Sequence, residues 1–335
     1  MGSAKGLITT AISKCAQPLL SVEELSVTYG GKGDLALSGV TLALGQGQIV
    51  GLLGESGSGK STFAMATLGL LPASAKVSGS VQFQGTDLGK SSSDWRKIRG
   101  AQIAMIFQEP HLALSPVMRV GDQIAEVLRA HTDMDRHTRK GRVKELLATV
   151  KLTQTDRILL AYPHQLSGGE LHRVAIAQAF ACKPRMIIAD EPTRSLDVTR
   201  QAAILELFRE ANHNSNCTIV FITHDPALLA GFADRVIVFY GGRVVEDGPL
   251  SQVFRNPLHP YTRGLLELVP SSLRQGSERR RLPAVPGTRP ESVASLKGCV
   301  FANRCSVKSA ICEIEDPPGL EAKEDHRVSC FNYAN

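Results

Sequence analysis

The run Gly54-Glu-Ser-Gly-Ser-Gly59-Lys60-Ser61 constrains this chain more than any other stretch. It fits G-x-x-x-x-G-K-[ST] and lies between an apolar, strand-like run at 49–53 and a helix-like pattern at 62–71. A strand, a glycine-rich loop and a helix in that order belong to an α/β architecture. Gly54, Gly57 and Gly59 let backbone N–H groups turn inward around phosphate oxygens, with Ser56 and Thr62 at the loop tip and the helix start. The helix N-terminus adds its positive dipole end. Lys60 is then the candidate to neutralise β- and γ-phosphates, and the Ser61 hydroxyl the candidate ligand for Mg²⁺. The pattern therefore predicts a nucleoside triphosphate site. A second run, Gly85-Thr-Asp-Leu-Gly89-Lys90-Ser91, has one residue fewer between its glycines and is followed by Ser92-Ser93-Asp94. It reads as a plain loop, so the chain carries one nucleotide cassette.

At 335 residues, with 43% hydrophobic and 21% charged, the chain has the composition of an ordinary folded protein of about two domains. No window approaches the ~18–20 consecutive apolar residues of a membrane-spanning helix. The first 18 residues read as an N-terminal extension, too weakly apolar for a secretory signal, which predicts a cytosolic chain with reduced or metal-bound cysteines. Strand-like runs at 22–29, 37–44, 49–53, 103–107, 186–190, 218–223 and 236–240 alternate with helical stretches. Gly241-Gly242 predicts a hairpin, hence an antiparallel piece beside a largely parallel sheet. Residues 112–181 read as a helical subdomain within a nucleotide domain spanning 19–270. A linker rich in Arg, Pro and Ser follows at 271–298, and a Cys-rich tail at 299–335. The basic excess is local: residues 271–309 hold eight bases against two acids, and 310–335 reverse the balance. A stripe of this kind is no general nucleic-acid surface, and no nucleic-acid partner is expected.

The run Met186-Ile-Ile-Ala-Asp190-Glu191 is a buried strand ending in paired acids. That pattern sets Asp190 near Mg²⁺ and makes Glu191 the candidate general base for an attacking water. Leu166-Ser-Gly-Gly-Glu170 precedes it, and His224 ends the strand-like run at 218–223. Taken in order, GESGSGKST, FQEP, LSGGE, IIADEP, SLD and THD resemble the ATP-binding cassette (ABC) ATPases, with a P-loop nucleotide-binding domain, an antiparallel β piece and a helical subdomain. The resemblance implies that Tyr29 stacks on adenine, Gln108 senses Mg²⁺ and water, and His224 meets the γ-phosphate. It also implies that Ser167, Gly168 and Gly169 contact ATP bound to a second ABC ATPase subunit, and that Asp197 lies at that dimer interface.

The stretches 256–266 and 298–305 resemble the C-terminal extension of the oligopeptide, dipeptide and nickel importers of this family. The resemblance implies an ATPase subunit peripheral to the cytoplasmic face of the inner membrane, working with two integral membrane permease subunits and indirectly with an extracytoplasmic solute-binding protein. Its solute would be a di- or oligopeptide. Nickel or another small solute is the alternative, and a soluble, non-transport ABC ATPase a further one. Glu109-Pro-His-Leu-Ala-Leu-Ser-Pro116 departs from the family's usual segment after Gln108, and Arg194 stands where a small residue is common.

Four of the seven cysteines, Cys299, Cys305, Cys312 and Cys330, fall in the tail. Their spacing lacks the C-x2-C knuckles usual for zinc. The family resemblance implies a [4Fe–4S] cluster on these thiolates; Zn²⁺, with His326 replacing one thiolate, and unbound thiols are the alternatives.

Overall fold

The computed structural model describes residues 17–30, 34–89, 95–267, 287 and 298–333. The linker expected at 271–298 falls almost wholly outside them, as do Cys15, Lys90 and Ser91. The chain divides into two compact units, one of residues 1–45, 50–89 and 223–335, the other of 46–49 and 90–222. Among the described residues no helix is long and apolar enough to cross a membrane.

In the first unit, the four strands Asp34–Leu44, Leu20–Tyr29, Lys76–Phe83 and Thr86–Asp87 lie side by side in that order. Both partners of Leu20–Tyr29 run antiparallel to it. Its Leu20, Val22, Leu25 and Val27 are buried, the two-residue step of a sheet with one covered face on either side of an irregularity between Val22 and Leu25. A second row holds Ile49–Leu53, buried throughout, parallel to Arg235–Tyr240. Arg235–Tyr240 turns through Gly241 and Gly242, at φ 54° and 75°, into the antiparallel strand Arg243–Pro249. Two successive positive φ values suit a tight hairpin, and glycine takes them without steric cost. Arg235 clasps Asp247 across this hairpin through two 2.7 Å bonds and donates to the Ala43 carbonyl at 2.8 Å.

The row is extended by His326–Ser329, paired to Arg243–Pro249, and by Gly319–Lys323 beyond it. These two strands and Lys76–Phe83 were not legible as strands in the sequence. Lys76–Phe83 is polar and mostly exposed over its first half, and Gly319–Lys323 buries no residue, so neither shows a repeating apolar face. Gly85 to Gly89, expected as a plain loop, closes a short hairpin through Thr86–Asp87.

In the second unit, Ile103–Ile106, Met186–Asp190 and Thr218–Thr223 run parallel, with Asp190 opposite Ile222. Parallel neighbours need a crossover, and the helix Val198–Ser215 supplies it between the last two. Phe208 from that helix packs edge-on against Phe180 and Phe221 at 6.2 and 5.9 Å. Residues 112–181 contain no strand; their main helices are Val120–His131, Arg136–Thr149, Thr155–Leu160 and Gly168–Ala179. Ile124, Leu128, Val143, Leu146 and Leu147 form their buried faces.

One buried carboxylate organises the end of the first unit. Glu246 accepts the backbone N–H groups of Leu258 and His259 at 2.8 and 2.9 Å, and His326 Nε2 lies 2.8 Å from it. His326, the alternative zinc ligand, thus lies in the core with one of its two ring nitrogens on Glu246. His259 beside it is buried, and its Nδ1 accepts the Tyr261 N–H at 3.1 Å. Burial pushes the His259 imidazole down to about 4, against a pull upward from Glu246. Below pH ~6.5 the unfolded chain takes up a proton that the folded chain refuses until about pH 4, so stability falls across that interval. This histidine is expected to account for about 3 kcal/mol of acid destabilisation between pH 7 and 4. In denaturant titrations over that range, His259→Asn should flatten the slope; an unchanged slope would rule the histidine out as its source.

Candidate functional site

The phosphate-loop residues fold as a tight loop between Ile49–Leu53 and the helix Lys60–Thr67. Gly54, at φ 157°, passes so close to Arg235–Tyr240 that a Cβ there would sit 2.3 Å from the Phe239 carbonyl oxygen. Gly59, at φ 107°, leaves a Cβ only 2.9 Å from the Ala36 carbonyl oxygen. Backbone contact on both flanks is what the glycines permit. Lys60 is buried, and its ammonium lies across the loop, donating to the Gly54 and Glu55 carbonyls at 2.7 and 2.9 Å and to Ser58 Oγ at 3.2 Å. Ser56, Gly57 and Ser61 face outward, with Thr62 half-buried beside them. The half-buried Tyr29 closes Leu20–Tyr29 with its hydroxyl 3.5 Å from Thr62 Oγ1, so the aromatic residue and the loop helix meet in one unit. His224, in the same unit, is exposed just after Thr218–Thr223.

The second unit gathers Gln108, Asp190 and Glu191. Asp190 and Glu191 are buried at the end of Met186–Asp190. Glu191 takes φ 45°, a conformation unusual for a side-chain-bearing residue and common at functional turns, and its N–H donates to the Ile222 carbonyl at 3.0 Å. Gln108 Nε2 donates to Glu191 Oε2 at 3.2 Å. Arg194 Nη1 lies 3.5 Å from the same oxygen, so the cation that departs from the family's pattern sits on the candidate base.

Ser167 caps the helix Gly168–Ala179 in a reciprocal box with Glu170. The Ser167 N–H and O–H donate to Glu170 Oε2 at 2.8 and 2.9 Å, and the Glu170 N–H returns to Ser167 Oγ at 3.4 Å. Burial raises the Glu170 carboxyl, but the Ser167 bonds and the Arg157 ion pair outweigh it and hold the group below its ordinary range. Gly168 has open space where a Cβ would point, leaving that helix end accessible from outside. Asp197 caps Val198–Ser215, accepting the Arg200 N–H at 2.9 Å, and is exposed.

The tail cysteines gather without forming a ligand set. The Cys299 N–H donates to the Cys312 carbonyl at 2.8 Å. Burial pushes the Cys299 thiol up to about 11, with further increments from Cys312, Cys330 and Cys305, so the four thiols lie within electrostatic reach of one another. Among the described residues, however, no three of His, Cys, Asp or Glu are arranged to hold a metal ion. The donor chemistry of four thiols suits a soft metal.

Sequence reading missed the surroundings of Glu55. Tyr261 Oη accepts its N–H at 2.8 Å, and Arg304 grips its carboxylate with both guanidinium nitrogens. The available signals were Tyr261 and Arg304 themselves, each inside a stretch that resembles the importers' C-terminal extension.

Residues 37–194 match the family model described as ABC transporter, and 245–312 the one described as oligopeptide/dipeptide transporter, C-terminal region. The probable D,D-dipeptide transport ATP-binding protein of Escherichia coli is 41% identical over 94% of this chain and 96% of its own length. The oligopeptide transport ATP-binding protein of Mycobacterium tuberculosis is 43% identical over 94% of this chain, which spans about half of that relative's length. A solved dimeric ATP-binding cassette, in a post-hydrolysis state with ADP and Pi, superposes with TM-score 0.62 at 30% identity, over 69% of this chain and 98% of its own.

The close approach at Gly54 generates a direct test. Gly54→Ala should lower the midpoint of thermal unfolding by several degrees, because the Phe239 carbonyl it meets is backbone of a buried strand and cannot swing aside. A variant that melts with the parent would show that the loop relaxes.

Proposed function

Because this chain belongs to the ATP-binding proteins of the oligopeptide and dipeptide ABC transporters, we propose that it is the subunit whose ATP hydrolysis drives import of di- or oligopeptides. The observation that carries this reading is one chain bearing both a lysine-spanned phosphate loop and a match over 245–312 to the oligopeptide/dipeptide C-terminal region. Lys60 would exchange its loop carbonyls for the β- and γ-phosphates, and Tyr29 would stack on adenine. Ser61, Gln108 and Asp190 are the residues to hold Mg²⁺, which supplies charge neutralisation as the terminal phosphoryl leaves. Glu191 takes a proton from water as its oxygen bonds to the γ-phosphorus and the bond to the bridging oxygen breaks, with ADP as the leaving group. His224 faces the γ-phosphate. Ser167, Gly168, Gly169 and Asp197 belong to the face met by a second ATPase subunit, and the accessible helix end at Gly168 supports this.

Phe107, Leu112 and Val117 are exposed apolar side chains around the segment after Gln108. Gln123 braces that segment, accepting from Ser115 N at 2.8 Å and donating to the Ser115 and Met118 carbonyls at 3.0 Å. An apolar, braced surface adjoining Gln108 suits contact with a permease subunit at the membrane's cytoplasmic face, the extracytoplasmic solute-binding protein acting through that permease. For the tail, gathered soft donors support a thiolate-bound group, [4Fe–4S] by resemblance and Zn²⁺ as the alternative, provided the thiols close up around it. When bound, such a group would order the tail.

Lys60→Ala should abolish ATP binding, whereas Glu191→Gln should retain it and slow hydrolysis in the assembled transporter by about 10²–10⁴-fold. Equal hydrolysis by Glu191→Gln and parent would remove Glu191 as the base. Iron, sulfide and zinc assays with visible absorption on anaerobically purified protein should find about four iron and four sulfide per chain. Stoichiometric zinc would replace the cluster, and neither metal would leave free thiols.

A further inference from the structure

Glu55 occupies the second position of the phosphate loop, so its carboxylate adds a negative charge to a loop that is to receive an anionic nucleotide. It is held at three points by three separate stretches of the first unit. Its N–H goes to Tyr261 Oη at 2.8 Å, and its carbonyl accepts from Lys60 Nζ at 2.9 Å. Its carboxylate receives Arg304 Nη1 on Oε2 at 2.8 Å and Nη2 on Oε1 at 3.1 Å. Arg304 is 5% exposed and Glu55 31% exposed. The guanidinium also donates to Tyr240 Oη at 3.3 Å and lies over the Tyr240 and Phe301 rings, 5.7 and 6.0 Å from their centroids. Tyr240, Tyr261 and Phe301 pack on one another at 4.5 to 5.5 Å, walling the arginine in.

Arg304 comes from the C-terminal segment, on the short helical turn Ala302–Arg304, with Cys305 next in the chain and Cys299 just before the turn. That segment has no other described part in nucleotide chemistry. Yet the buried Arg304 fixes both oxygens of a phosphate-loop carboxylate, which a fork of parallel N–H donors does and a single ammonium cannot. We infer that Arg304 is a positioning residue for ATP binding: it neutralises Glu55 and fixes its direction, so the C-terminal segment sets the affinity of the phosphate loop. If the segment is displaced, Glu55 is left as an uncompensated negative charge on the loop. The inference rests on the assignment of residues 54–62 as the ATP phosphate loop.

The test measures equilibrium binding of ATP to the full-length chain and KM and kcat in the assembled transporter. Arg304→Gln is expected to raise both the dissociation constant and KM for ATP about tenfold while kcat falls less than about twofold. Arg304→Lys, which keeps the buried cation and loses the fork, should fall between parent and Arg304→Gln, and it keeps the test open should Arg304→Gln not fold. The decisive variant is Arg304→Gln combined with Glu55→Gln. With the carboxylate gone the arginine is no longer needed, and ATP should bind at least about fivefold tighter than to Arg304→Gln alone. A role confined to folding the segment would give no such recovery. Parent-like ATP affinity in both Arg304→Gln and Arg304→Lys, or a double variant no better than Arg304→Gln, would overturn the inference. Lys60→Ala separates the two levels. If it binds ATP normally, the phosphate-loop assignment itself fails; if it loses ATP while the arginine variants are neutral, only the role of Arg304 fails.

Discussion

The loop at 54–59 has room for backbone and nothing more on two of its sides. Its glycines face carbonyl oxygens of Phe239 and Ala36 at distances that exclude a Cβ, so the strands bearing those carbonyls must be in register before the loop can take its shape. That requirement propagates outward. The strand Arg235–Tyr240 is pinned by the Arg235 clasp on Asp247 and by its hairpin partner, while Asp34–Leu44 is anchored by its antiparallel pairing with Leu20–Tyr29. Lys60 then crosses the loop it terminates, tying its own helix to the carbonyls five and six residues before it. Much of the first unit serves to hold six residues of backbone in a conformation they would not adopt alone.

The parts of the molecule that were legible in the sequence share a physical origin. Ile49–Leu53 and Met186–Asp190 are buried on both faces and so read as continuous apolar runs, and the glycine pair at 241–242 announces its turn. Gln108 and Glu191 stand far apart in the chain, yet each was singled out by its motif, and they meet at 3.2 Å. What stayed hidden depends on long-range pairing of unremarkable residues. No pattern in the stretch around Arg304 says that its guanidinium finds Glu55, 249 positions earlier. Nor does the sequence reveal that His326 meets Glu246, 80 positions earlier. The polar strand Lys76–Phe83 escaped because its pairing comes from its neighbour's edge and not from an apolar face of its own.

The second unit shows how a departure from a family pattern acquires physical content. Arg194 looked in the sequence like an anomaly near a motif. In the structure its guanidinium lies on the same Glu191 oxygen that Gln108 addresses, so a single carboxylate oxygen is shared between an amide and a cation. Glu191 itself is bent into a left-handed backbone and tethered to Ile222 through its N–H. The side chain is thus oriented from its backbone and from its tip.

Glu246 and His326 have a consequence for how the chain is made. The carboxylate is synthesised 80 residues before the imidazole it meets, and both end wholly out of water. At about 5–20 residues per second, a growing chain carries Glu246 for roughly 4–16 s before its partner exists. Throughout that time the Leu258 and His259 N–H groups can serve the carboxylate, and the place that His326 fills stands empty of its ring. The edge of Arg243–Pro249 that pairs with His326–Ser329 can therefore be covered only once the segment that also carries Arg304 and the tail cysteines has emerged.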